Sequence, residues 1–188
     1  MIVIKSEILL VIAPLIYIPF LIHWIKQKTP IEKIVFKSFM FIYIIGVISF
    51  TLFPIDLATG DRDAIFSDLS WFNLIPFGTI SEIYSYREYD TAASVFQVVA
   101  NIIMFVPLGC LYPLCSKYQV SWKRMLITAF ICTLSIELAQ LVQNLLYQTV
   151  PHRIDVDDLI LNTTGAMIGF GLFMICRPVF KKLNVYEF

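Results

Sequence analysis

The chain has 188 residues, of which 59% are hydrophobic and 15% charged, with zero formal net charge and a mean hydropathy of +0.79. A soluble domain carries roughly 25% charged residues, so this chain lacks the groups to cover a water-facing surface. Without net charge there is no bulk basic field for nucleic acid, and charge acts here only through its placement. The fold class that fits is all-α: a polytopic transmembrane helix bundle.

Apolar runs of about 20 residues are each long enough to cross a bilayer core. They place about five spans, at Glu7–Ile25, Ile34–Phe53, Ser94–Cys115, Met125–Leu146 and Leu159–Cys176. Lys5 gives the first run a resemblance to a signal peptide. Its apolar stretch from Ile8 to Ile25 is long for that role, no small-x-small cleavage site follows, and Lys26, Lys28 and Lys33 come directly after. It therefore reads as a retained helix. Thr29-Pro30-Ile31-Glu32 predicts an N-cap, a proline at the first helical position and a capping-box glutamate for the second span. Ser94-x-x-Gln97 opens the third in the same way.

The connecting segments alternate in sign. Lys26, Lys28 and Lys33, then Lys117, Lys123 and Arg124, then Arg177, Lys181 and Lys182 mark three basic segments. Segments 54–93 and 149–158 are acidic. Counting Lys and Arg alone puts the basic segments in the cytoplasm, so the N-terminus is expected outside and the two acidic segments outward. The large outer segment carries an apolar, aromatic stretch, Trp71 to Gly78, too short to span and broken by Pro76 and Gly78. It is expected in the interface or as a re-entrant loop. Thr79-x-x-Glu82 starts a short amphipathic helix to about Glu88. No internal repeat is evident, which disfavours an inverted-repeat transporter.

Cys110, Cys115, Cys132 and Cys176 lie in apolar runs without a CxxC pair and read as small core thiols. Pro107 and Gly109 are expected to kink or unwind the third span.

A carboxylate at a span centre costs roughly 2.5–3.5 kcal/mol, which singles out Glu137 in the fourth span. Gln140 and Asn144 share its helix face at i+3 and i+7. In the fifth, Asp155, Asp158 and Asn162 share a face by the same spacing. Asp155 alone suits an N-cap, and Asp157 suits complementation of the helix dipole. Gly165-x-x-x-Gly169 allows close helix approach. At about 1.5 Å per residue, Asn144 and Asn162 fall at one shallow depth, Gln140 and Asn101 a turn deeper, and Glu137 deeper still. The expectation is a polar shaft, open outward, with Arg153, Asp155 and Asp158 at its mouth. Arg153 offers a fork for phosphate or carboxylate, and the carboxylates are oxygen ligands for a divalent cation such as Mg²⁺. They could also act as general acid and base. His152 is a lone loop histidine, and no Ser-His-Asp set, P-loop or HExxH occurs.

Four blocks together resemble the VanZ-like family of bacterial membrane proteins. They are Asn73-Leu74-Ile75-Pro76-Phe77, Asn101 to Gly109, Ile136-Glu137-Leu138-Ala139-Gln140, and Arg153 through Asp155 and Asp158 to Asn162, Gly165 and Gly169. The resemblance is strongest over 73–175 within one domain, 1–188. It implies a multi-pass protein of the bacterial cell membrane and a link to resistance against teicoplanin-type glycopeptides, which bind cell-wall precursors outside the membrane. It names no reaction. The leading expectation is a protein that binds a phospholipid or undecaprenyl-linked precursor headgroup through Asn73, Asn101, Glu137, Gln140, Arg153, Asp155, Asp158 and Asn162. The alternative is an intramembrane enzyme on such a lipid, with Glu137 and Asp158 as acid and base and a divalent cation. A transporter or a structural scaffold are the remaining alternatives.

Overall fold

The structure is a computed structural model and describes residues 3–57, 72–78, 81, 91–147, 153–183 and 185–186. Among them are five helices long and apolar enough to cross a bilayer. These are α1 (Ile8–Lys26), α2 (Ile31–Leu52), α3 (Thr91–Cys115), α4 (Trp122–Tyr147) and α5 (Val156–Lys182). Two short ladders accompany them. β1 (Val3–Ile4) pairs antiparallel with β2 (Ile55–Asp56), and β3 (Phe72–Asn73) pairs in parallel with β4 (Ile154–Asp155). Every span expected from hydropathy is a helix. The predicted amphipathic helix from Thr79 lies outside the described residues.

α1 is peripheral. None of its residues is buried, as befits a helix that is apolar all round and faces lipid on most sides. It is joined to α2 by Tyr17 Oη and Ser38 Oγ at 2.6 Å, by Tyr17 packing on Phe41, and by Lys37 Nζ 5.2 Å from the Trp24 ring centroid. These contacts make the pair antiparallel. The turn between them corrects the capping expectation. Lys28 takes φ 52°, its N–H bonds Ile25 O, and Thr29 N–H bonds Trp24 O. That is a Schellman closure of α1, so Thr29 serves the end of α1. α2 then starts at Ile31 behind Pro30, which has extended ψ 144° and no side-chain cap bond.

α3 begins at Thr91, so Ser94 falls inside the helix rather than at its cap. It runs uninterrupted through Pro107 and Pro113, and the expected local unwinding is not seen. Neighbouring helices steady a proline-bearing span, and α3 has such a neighbour in α5. The two are parallel and meet backbone to backbone. A Cβ added at Gly165 would lie 2.0 Å from Ile102 O, one at Gly169 2.0 Å from Val106 O, and one at Gly109 2.0 Å from Ala166 O. Cys110 Sγ contributes a bond to Gly169 O at 3.2 Å. The glycine spacing in α5 thus does what the sequence suggests, and Gly109 supplies the matching hollow on α3.

α4 runs antiparallel to α5 and buries one stripe, apolar at Met125 and Ala129, polar at Thr133, Glu137 and Asn144. The helices alternate in direction, which collects Lys26, Lys28, Lys33, Lys117, Lys123, Arg124, Arg177, Lys181 and Lys182 at one end of the bundle. An aromatic cluster sits near that basic end. Phe173 stacks on Phe180 and meets Tyr186 edge-on, and the Arg177 guanidinium lies over the Tyr186 ring. The polar half of the α4 stripe lies toward the opposite end.

Candidate functional site

The site grows out of the way α5 begins. Asp155 has extended backbone angles, φ −129° and ψ 120°, and its carboxylate accepts the Asp157 N–H at 2.8 Å. It is the N-cap of α5, which satisfies one of the helix's orphan donors. The same oxygen accepts from Asn73 Nδ2 at 2.9 Å, tying β3 to β4 through side chains as well as through the ladder. Asp155 N–H in turn donates to Glu137 Oε2 at 3.2 Å. Glu137 therefore stands level with the start of α5, although α4 continues for ten more residues to Tyr147.

This corrects the depth estimated from the sequence. Ten residues of helix rise about 15 Å, so α5 starts about that distance below the end of α4. Asn162 then meets Thr133, its Nδ2 donating to Thr133 Oγ1 at 2.9 Å, rather than lying level with Asn144. Asn101 likewise reaches Asp158, with its Nδ2 donating to Oδ1, and not the level of Gln140. The linear estimate assumed that a short loop joins two helix ends at equal height.

Segment 72–78 lies at the level of the start of α5. β3 lies beside β4, and the chain then turns through Gly78 N–H to Ile75 O at 3.0 Å, with Phe77 at φ 64°. Asp157, fully buried, accepts the Phe77 N–H. Its carboxylate thus clamps this turn, a role beyond helix-dipole complementation. A Cβ at Gly78 would lie 2.6 Å from Asn73 Oδ1, so any larger residue there must displace the Asn73 side chain that bonds Asp155. Leu74, Ile75 and Phe77 remain exposed. The turn thus presents an apolar tip on a base anchored by the buried carboxylates of Asp155 and Asp157.

A second set of bonds fixes α2. Gln140 Nε2 donates to Thr51 O at 2.9 Å and Gln143 Nε2 to Leu52 O at 3.2 Å. These are carbonyls of the last turn of α2, which no intrahelical N–H can reach.

Between these elements lies a cavity of about 230 Å³ lined by Phe50, Thr51, Gln97, Asn101, Met104, Ile136, Glu137, Gln140, Arg153, Asp158 and Asn162. Six of the predicted residues meet there: Asn101, Glu137, Gln140, Arg153, Asp158 and Asn162. Asn73 and Asp155 do not line it and are buried in the bracing behind it. Gln97 was missed, though it lies one turn from Asn101 on α3. Thr133 and Gln143 were missed as well. Thr133 stands one turn from Glu137 on the same face, a signal that was available; the bond of Gln143 to α2 left none.

The chemistry of the wall is asymmetric. Gln140 and Asn162 both spend their NH₂ groups on the protein. Their oxygens, Gln140 Oε1 and Asn162 Oδ1, are buried with no hydrogen-bond donor among the described residues. The carboxylates of Glu137 and Asp158 add further acceptors. Arg153, near enough to Asp158 for their charges to interact, is the cationic donor of the lining. A wall of this kind suits a molecule that presents hydroxyl or ammonium groups inward and an anionic group to Arg153. Among the described residues no three His, Cys, Asp or Glu side chains converge closely enough to hold a metal ion.

No curated protein and no solved structure matches the chain. A family model, VanZ/LLP1, matches residues 36–177. The match starts inside α2, earlier than the blocks from Asn73 onward, and takes in the described cavity lining and its bracing. Covering about three quarters of the sequence and the helices that build the site, it makes this chain a multi-pass membrane protein of the VanZ/LLP1 family.

Proposed function

We propose that the protein binds the polar headgroup of a membrane lipid or lipid-linked cell-wall precursor at the outer leaflet of the bacterial cell membrane. The observation that carries this reading is the pair of buried, donor-seeking oxygens on Gln140 and Asn162, set in one cavity with two carboxylates and Arg153. Buried acceptors left unpaired cost about 1–3 kcal/mol each, which a ligand rich in hydroxyl or ammonium donors would recover. Its phosphate would face Arg153. The basic end of the bundle is assigned to the cytoplasm by the excess of Lys and Arg there, which turns the cavity outward. A divalent cation would enter with the ligand's phosphate, held by one or two carboxylates, as Mg²⁺ commonly is.

The test is lipid analysis of the purified protein. Wild type should retain one lipid species enriched over the bulk membrane, and Glu137→Gln and Asp158→Asn should lose the enrichment. Glu137→Gln keeps an oxygen for the Asp155 N–H, so the brace survives while the charge goes. Wild type with the lipid profile of its surroundings would sink the proposal.

The meeting of Glu137 and Asp158 in one cavity also favours a second reading, an enzyme acting on the same lipid with these residues as acid and base. Turnover of the retained lipid by wild type, abolished in Glu137→Gln, would decide for it; an unaltered lipid would decide against.

A further inference from the structure

A second cavity, of about 300 Å³, is lined by Tyr43, Ile44, Val47 and Ile48 of α2, Phe105 and Leu108 of α3, and Ile131, Cys132, Ser135 and Ile136 of α4. It is almost wholly apolar, and it borders the polar cavity on the same three helices. The change falls between adjacent or nearly adjacent residues on each: Ile48 to Phe50 on α2, Met104 to Phe105 on α3, and Ile136 to Glu137 on α4, with Ile136 lining both. α2 is pinned to α4 by Gln140 and Gln143 at its last turn. Beyond those pins the groove lies between the two helices. From Ile48 to Tyr43, and from Ile136 to Ile131, it follows about a turn and a half of helix, roughly 7 Å along the bundle.

Resting on the headgroup reading, we infer that the two cavities form one amphiphile site, in which a hydrocarbon chain of the bound lipid lies in the groove between α2 and α4. A water-soluble headgroup or peptide would have no use for an apolar groove adjoining its pocket across Ile136. A lipid presents polar and apolar parts in that order, and the boundary on all three helices matches the boundary of such a molecule. The ligand class is therefore a lipid whose head is donor-rich and phosphate-bearing. Whether its tail is acyl or polyprenyl is a choice between sources of the same chemistry.

The experiment uses full-length protein in vesicles of phosphatidylethanolamine and phosphatidylglycerol. These are doped separately with diazirine-tailed phosphatidylethanolamine, phosphatidylglycerol or a polyprenyl phosphate. After irradiation the labelled residues are mapped by mass spectrometry. Bulk lipid labels every exposed helix, so Leu10 and Leu15 of α1, both exposed, give the reference. One probe should label Val47–Ile48 and Ile131–Ser135 above that reference. Glu137→Gln should lower the groove labelling about tenfold, the effect of losing one charge-assisted hydrogen bond, and leave α1 labelling unchanged. Ile48→Trp, which fills the groove without touching the polar lining, should lower it as well. Groove labelling at or below the α1 reference with all three probes, or insensitive to both variants, overturns the inference. If it fails while wild type still retains an enriched lipid that Glu137→Gln loses, the headgroup reading stands and the tail assignment alone falls. If no enriched lipid is retained either, both fall.

Discussion

Gly169→Ala tests the contact on which the site's geometry depends. A methyl at this position would lie 2.0 Å from Val106 O and 2.9 Å from its carbonyl carbon. Carbon and oxygen approach comfortably only to about 3.3–3.6 Å, so the contact must open by about 1.3–1.6 Å. Backbone atoms cannot rotate away as a side chain would. Overpacking of this kind costs about 1–3 kcal/mol, and each kcal/mol moves the melting point by about 2–4 °C in a chain of this size. The expected loss is therefore about 2–12 °C, read by tryptophan fluorescence during thermal unfolding in detergent. Parting the helices should also lengthen the bond from Cys110 Sγ to Gly169 O, now 3.2 Å, and speed maleimide labelling of Cys110. Gly171→Ala is the control, because a Cβ there meets nothing within 4 Å. It should be neutral or stabilising by up to about 1 kcal/mol through helix propensity alone. Equal melting of the two variants, with Cys110 labelled no faster in Gly169→Ala, would refute backbone-to-backbone packing of α3 on α5.

Asp155→Ala removes the α5 N-cap and strands the bond from Asn73, so a loss of about 2–4 kcal/mol is expected from the two effects together. Asp155→Asn retains an N-cap oxygen and should melt measurably higher than the alanine variant. Asp157→Ala frees the Phe77 N–H and should raise hydrogen exchange over residues 72–78 while α1 exchange stays unchanged. Gln140→Leu uncovers Thr51 O and should increase exchange in the last turn of α2, with Ile8–Lys26 again as reference. Teicoplanin and vancomycin susceptibility of cells expressing wild type, Glu137→Gln and Asp158→Asn at matched levels tests the glycopeptide expectation. A rise in teicoplanin tolerance confined to wild type supports it, and no change in wild type removes it.

Much of this molecule follows from local pattern. Hydropathy alone sets five spans, because a helix of about 20 apolar residues is the form in which a chain satisfies its backbone inside lipid. Helical periodicity puts Glu137 and Gln140 on one face of α4 and Asp158 and Asn162 on one face of α5, since those spacings are properties of a single helix. Gly165 and Gly169 announce a close neighbour for the same reason. What the sequence could not set is axial register between helices. That α5 starts level with Glu137, and not with Tyr147, is decided by bonds between distant segments: Asp155 to Glu137, Asn73 to Asp155, and Asp157 to Phe77. Register decides in turn that Asn162 meets Thr133, that Asn73 and Asp155 brace the cavity rather than line it, and that Gln140 and Gln143 cap α2. The apolar groove beside the polar cavity is likewise a product of register, because it exists only where three helices change character at one height. Periodicity is fixed within a helix, while height between helices is fixed by contacts that span 18 to 91 residues of chain.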